Sequence, residues 1–159
     1  MLQGVRGDRS FFLFEAKKHM NVQQLCLTLP ATPDTLAEIT GLLAENCINI
    51  RDLTMDGAGL VRLIANDTEK ARQLLSEQGL AVAINEVLVI EVPDKPGGLA
   101  GIMEVLRPLP IKVEHLSAFS RKSGANGLLI FRFDQPQAAA EALEKAGIRL
   151  LSGEELAAR

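Results

Sequence analysis

The chain has 159 residues, 47% hydrophobic and 23% charged, with a formal net charge of −3. This is ordinary globular composition; a slightly acidic chain without a basic run suits neither nucleic acid nor an anionic membrane. No apolar run approaches the ~20 residues of a membrane helix.

Residues 1–20 stand apart. Gly4 to Arg9 is polar and turn-rich, and Phe11, Phe12 and Phe14 form a short apolar knot. The knot is too short and badly flanked for a signal peptide. The segment reads as a leader or an over-long start before Met20; the second reading is an arm whose phenylalanines cover a sheet edge or a partner.

From there the pattern is periodic. Val22 to Leu29 alternates apolar and polar and predicts a strand closed by Pro30. Leu36, Ile39, Leu42 and Leu43 repeat at helical spacing, predicting a helix over 34–46. Ile48 to Met55 and Leu60 to Ala65 read as strands around the turn Asp56–Gly59. Thr68 to Gln78 reads as a helix, with Thr68 as N-cap and Gly79 as its end, and Leu80 to Ile84 as a closing strand. The order then recurs: strand 87–92, helix 97–106, strands 111–119 and 128–134 around Lys122–Gly127, helix 136–146 ended by Gly147, strand 148–151, and a tail over 154–159.

The recurrence is a sequence repeat. Pro30 and Pro93 set an offset of 63 residues, which also relates Ile39 to Ile102 and Ile48, Ile50, Leu53 to Ile111, Val113, Leu116. A hairpin longer by five residues follows, and Val61–Ile64 then maps onto Leu129–Arg132. Each unit reads βαββαβ, the α+β ferredoxin-like arrangement. Units of about 65–70 residues are near the lower limit for an independent core, so repeats 21–85 and 86–153 should pack together. The second strand of each unit falls on an edge. Pairing 48–55 with 111–119 would make one eight-stranded antiparallel sheet with the helices on one face. In both strands the apolar positions step by two and then three, which predicts bulges at Arg51-Asp52 and Glu114-His115. The sheet face away from the helices is rather apolar, so two copies could pair back to back.

The motif that points to chemistry is Asp94-Lys95-Pro96-Gly97-Gly98-Leu99, between a strand and a helix. Two glycines clear the approach to the first backbone N–H groups of the helix, which with the dipole attract an anion. Read alone, the motif is equally a tight turn. With its strand–loop–helix setting and the Ile48-Asn49-Ile50 strand start, the chain resembles the ACT domain family over about residues 22–151. That resemblance implies a regulatory module binding an amino acid where two units meet edge to edge. It implies that Asp94, Pro96, Gly97, Gly98 and Leu99 hold the ligand's carboxylate side, with Asn49 and Ile50 from the other repeat. The complementary pair, Thr32 and Asp34 with Lys112, looks degenerate: Asp34 replaces the loop glycine and Lys112 the strand-start asparagine. Its bland reading is a salt bridge from Asp34 to Lys112.

Other residues carry less. Cys26 and Cys47 read as small buried hydrophobes in a reducing, cytoplasmic compartment, and Met55 and Met103 as filling. His115 has no catalytic company, and no metal-ligand spacing, phosphate loop or dinucleotide fingerprint is present. The expectation is a non-catalytic amino-acid-binding regulatory protein without cofactor, with a second copy of itself and a regulated enzyme as the candidate partners. The alternatives are a structural interaction module without ligand and, less favoured, an RNA-binding ferredoxin-like protein using Phe131 and Phe133.

Overall fold

A computed structural model describes residues 21–120 and 126–159. The expected leader and the hairpin turn around Lys122 lie outside the described residues. The first repeat contains β1 (Val22–Thr28), α1 (Pro33–Glu45), β2 (Ile50–Met55), β3 (Leu60–Ala65) and α2 (Thr68–Glu77). Strand β4 (Ala83–Pro93) follows, then α3 (Gly98–Leu106), β5 (Val113–Ser120), β6 (Asn126–Phe133), α4 (Pro136–Lys145), β7 (Arg149–Leu151) and α5 (Gly153–Ala157).

The sheet has seven strands, in the order β2-β3-β1-β4-β6-β5, with β7 also on β4. The expected eight become seven because the last strand of one repeat and the first of the next are a single strand. β4 pairs with β1 through Ala83–Val87 and with β6 through Leu88–Pro93. The expected pairing of β2 with β5 is not made; they lie at opposite ends of the strand order. Both expected bulges are present, as register shifts between Ile50 and Asp52 and between Val113 and His115.

Strand alternation assigns the faces. In repeat one, Leu25, Leu27, Val61 and Leu63 meet Ile39, Leu43, Ala71 and Leu75 of the helices. In repeat two, Leu88, Ile90, Leu129 and Phe131 meet Ile102, Leu106, Ala139 and Leu143. The opposite faces do not wait for a second copy, and the helices of both repeats lie on one face of the sheet: in β4, Ile84 opposite Leu25 and then Leu88 and Ile90 keep the same period-two face. Val22 and Ile64 of repeat one pack against Val89, Leu128 and Ile130 of repeat two, so the curled sheet closes on its own back. Removing these side chains from water is favourable at ~25 cal/mol per Å² of apolar surface.

The tail is a helix. Ser152 accepts from Glu155 N–H while Glu155 accepts from Ser152 N–H, a capping box that fixes α5. Its Leu156 joins the back-face core. Glu91, with an 8% exposed side chain, accepts from Arg149 at 2.8 Å and from Arg159 at 3.0 Å.

Helix ends also refine the sequence reading. Asp67, not Thr68, caps α2, accepting from Lys70 N–H at 3.0 Å. Three helices close with the same motif, in which the second residue beyond the cap donates to the carbonyl five back: Ile48 to Leu43, Leu80 to Leu75 and Ile148 to Leu143. The motif needs a left-handed residue, and two of the three use glycine, Gly79 and Gly147. The third uses Cys47 at φ 59°, and its side chain is exposed rather than buried. Cys47→Gly should therefore stabilise the fold by ~1 kcal/mol, since only the Cβ penalty is removed. Urea unfolding should show a higher midpoint at unchanged slope; an unchanged or lower midpoint would refute the assignment.

Candidate functional site

The loop after β4 is built by its glycines. Lys95 N–H donates to Pro93 O at 2.9 Å and Gly98 N–H to Lys95 O at 3.2 Å, folding the chain into a tight turn. Gly97 sits at φ 94°, which disfavours any side chain. A Cβ on Gly98 would stand 2.9 Å from Pro93 O, so here glycine is required by close backbone approach. Both needs are structural, which accounts for the Gly-Gly pair without a ligand. What the turn leaves over is chemical: α3 has no side-chain cap and no acid in its first turn. The Gly98 N–H is spent inside the turn, so the outward donors are those of Leu99 and Ala100.

Asp94, Lys95, Gly98 and Leu99 border a concavity of about 320 Å³, faced by Ala118 and Gly127 from β5 and β6. Leu99, Val113 and Leu116 of this repeat are exposed.

The matching turn in repeat one is closed. Thr32 Oγ1 accepts from Thr35 N–H at 3.3 Å, and Asp34 occupies the first turn of α1. Helix α1 is thus capped by its own side chains, as the sequence implied.

Ile50 begins β2, in the other repeat, with Asn49 just before it, and neither lines the loop concavity. Asn49 is exposed, and its backbone is clamped by Asn66, whose Oδ1 accepts from Asn49 N–H at 2.8 Å. Lys112 is clamped identically by Asp134 Oδ1 at 2.8 Å. Asn66 and Asp134 are repeat equivalents that position both strand starts. No ion pair joins Asp34 to Lys112 among the described residues.

The other candidates resolve differently. Phe131 and Phe133 stack on each other at 5.1 Å within the helix-side core, where no base can reach them. Cys26 is half-buried and accepts from Asn85 Nδ2 at 2.9 Å. A larger groove of about 800 Å³ runs between Asn66–Glu69, Glu86 and Glu154, an acidic lining unsuited to a carboxylate.

A second cluster of polar groups was not legible in the sequence. Among the described residues, seven buried side-chain atoms have no hydrogen-bond partner: both amide atoms of Gln24, Arg51 Nε, Asp52 Oδ2, Thr54 Oγ1, His115 Nε2 and Ser117 Oγ. Gln24, Asp52, Thr54, His115 and Ser117 lie on the back faces by register, opposite or beside Ile64, Arg62, Arg132 and Ile130. Arg51 reaches the same side, donating to Ala157 O of α5. A buried polar atom without a partner costs ~1–3 kcal/mol. Seven would cost on the order of 10 kcal/mol, as much as a whole domain's stability. Burial raises the pKa of Asp52. Burial, then the charges of Arg62 and Arg132, hold the His115 imidazole below its ordinary value. Arg62 belongs to repeat one and His115 to repeat two, so the charge acts across the interface.

The fold and loop can now be set beside known proteins. The sequence matches the ACT domain pair family over residues 20–158, and the chain belongs to that family. Protein BT0572 from Bacteroides thetaiotaomicron is similar in structure, with a TM-score of 0.81 at 27% identity, over 87% of this chain and 96% of that one. The regulatory subunit of aspartate kinase from Thermus thermophilus, in ligand-free form, gives 0.57 at 16% identity over 80% and 92%. Aspartokinase III from E. coli, in complex with lysine and aspartate, gives 0.50 at 18% identity, over 79% of this chain and 31% of that one. At these identities the two kinases support the fold alone. A comparison with curated proteins finds no match. Among the described residues no helix is long and apolar enough to cross a membrane, and no group of three or more His, Cys, Asp and Glu could hold a metal.

The raised Asp52 pKa has a stability consequence. The folded chain holds this proton more tightly than the unfolded chain, so stability falls as pH rises from about 3.8 through the folded value. Asp52→Asn should raise the melting temperature at neutral pH and leave it unchanged below both values, near pH 3. Equal gains at both pH values would show that the effect is not ionisation.

Proposed function

We propose that this chain is a non-catalytic regulatory module that binds an amino acid at the Pro-Gly loop and relays its presence to a partner enzyme. The observation that carries the reading is the asymmetry of the two helix starts. One is filled by Thr32 and Asp34; the other leaves two backbone donors without a cap, next to a concavity bordered by Asp94 and Leu99. The ligand's carboxylate sits on the N–H groups of Leu99 and Ala100, at the positive end of α3. Asp94 takes its ammonium group. Pro96 and Gly97 hold the turn, and Gly98 brings the backbone close.

Asn49 and Ile50 complete such a site only from a second copy. Among the described residues β2 and β5 are the two edge strands, and an edge strand is a pairing template. With β2 of one copy docked beside β5 of another, Asn49 would face the loop, and two chains would share each site. The exposed apolar side chains of Val113 and Leu116, on β5 itself, are suited to that contact.

Calorimetry with each of the twenty standard amino acids tests the reading. Gly97→Asp, which copies repeat one, should abolish binding at the loop, while Thr32→Ala should leave it unchanged. Asn49→Ala should weaken it by roughly ten- to a hundred-fold if a hydrogen bond to a charged group is lost. Equal weakening by Thr32→Ala and Asn49→Ala, or binding that survives Gly97→Asp unchanged, would overturn the loop site.

A further inference from the structure

We propose that the outer flank of β4 at Ala83–Asn85 is a self-association edge, which pairs antiparallel with the same segment of a second copy of this chain. The inference is independent of the loop site and of the β2 and β5 edges invoked there.

Only the second half of β4 is flanked on both sides. Leu88–Pro93 pairs with β6, and Val89–Glu91 pairs with β7 as well. Ala83–Val87 pairs with β1 alone among the described residues. One flank of this stretch therefore lies outside any strand ladder. The side chains agree. Ala81, Ala83, Ile84 and Glu86 are exposed, whereas Val87, Leu88, Val89 and Ile90 are all buried. Ile84 is 39% exposed, an unusual place for an isoleucine in a strand whose next apolar residues are fully buried.

What sets this flank apart is its lack of protection. Sheet edges are normally blunted by charges, prolines or bulges. β2 has a bulge between Ile50 and Asp52, with Arg51 and Asp52 as its charges. β5 has a bulge between Val113 and His115, beside the charged Glu114. By contrast, Gly79 to Asn85 reads Gly-Leu-Ala-Val-Ala-Ile-Asn, with neither charge nor proline. The register of β4 on β1 is unbroken from Ala83 to Val87, so no bulge turns the flank away.

The occupant that fits is the segment itself. An antiparallel edge is its own complement, because a two-fold axis exchanges its donors and acceptors. With the axis beside Ala83, Ile84 of each copy lies opposite Val82 of the other. Those two residues share the helix-side face, where Val82 already packs on the core of repeat one. Asn85 falls opposite Ala81. The two Glu86 carboxylates, the nearest charges, stand at opposite ends of the paired segment. Pairing with β2 or β5 would instead set Arg51 and Asp52, or Glu114, against this apolar stretch. A contact of one short strand is small, so the dimer is weak and concentration-dependent.

Sedimentation velocity on the full chain over a range of concentrations reads the association. Leu116→Lys serves as the background, because it disables the β5 edge. A monomer–dimer equilibrium should persist there. Adding Ile84→Lys or, separately, Ala83→Lys should weaken it by roughly ten-fold or more, since each brings two like charges to the axis. Both side chains are exposed in the monomer, so circular dichroism should show an unchanged fold. Amide exchange within Ala83–Asn85 should slow as concentration rises, and should cease to do so once either lysine is present. A monomer at every concentration, or a dimer indifferent to both lysines, would overturn the proposal. Protection of Ala83–Asn85 that does not change with concentration would assign the flank to a segment of the same chain and overturn it too.

Discussion

Everything in this molecule depends on one strand serving two sheets. β4 ends the first repeat with Ala83–Val87 and begins the second with Leu88–Pro93, with no turn between. A tandem repeat joined by a loop could hinge. Joined by a shared strand, the repeats have one relative placement, set by the twist of the sheet. The twist brings the two back faces together, and Ile64, Val89 and Ile130 seal them. The edges β2 and β5 are thereby pushed to opposite ends of the strand order.

This arrangement separates two surfaces that a side-by-side pair would merge. The loop at Asp94–Leu99 sits at the mouth of repeat two, on the side of its own helices. The orphaned polar groups sit inside, between the sheets. α5 ties the system together. Its Leu156 plugs the apolar end of the interior, while Arg51 reaches its Ala157 carbonyl. Arg149 and Arg159 converge on the nearly buried Glu91, and a buried carboxylate is tolerable only when so partnered.

Much of the fold was legible because period-two and period-3.6 patterns are enforced by burial on one face. The bulges were legible too, since an extra residue must shift the apolar step from two to three, as Ile50 to Leu53 and Val113 to Leu116 do. What covers the other face was not legible. Val22, Ile64, Val89 and Ile130 say that a face is apolar but not which surface meets it. Asn85 and Glu86 read as a break between strands, yet antiparallel pairing with Gln24 and Gln23 carries the chain straight through. The capping box at Ser152 and Glu155 is a sequence-level signal for a helix in the tail. The loop was legible as a motif, whereas which of its donors remain open was not, because the Gly98 N–H is consumed by Lys95. The back-face cluster had no signature: Asp52, Thr54 and Ser117 alternate with apolar residues as solvent-facing positions do.

Fusion also explains why the two repeats need not match. In a symmetric pair of identical units, any residue at the position of Asp52 appears twice. In one chain the two positions are free to differ, and here they hold Asp52 and His115. The same freedom filled one helix start with Asp34 and left the other open. A tandem repeat can hold unlike residues at equivalent positions without altering the backbone that carries them.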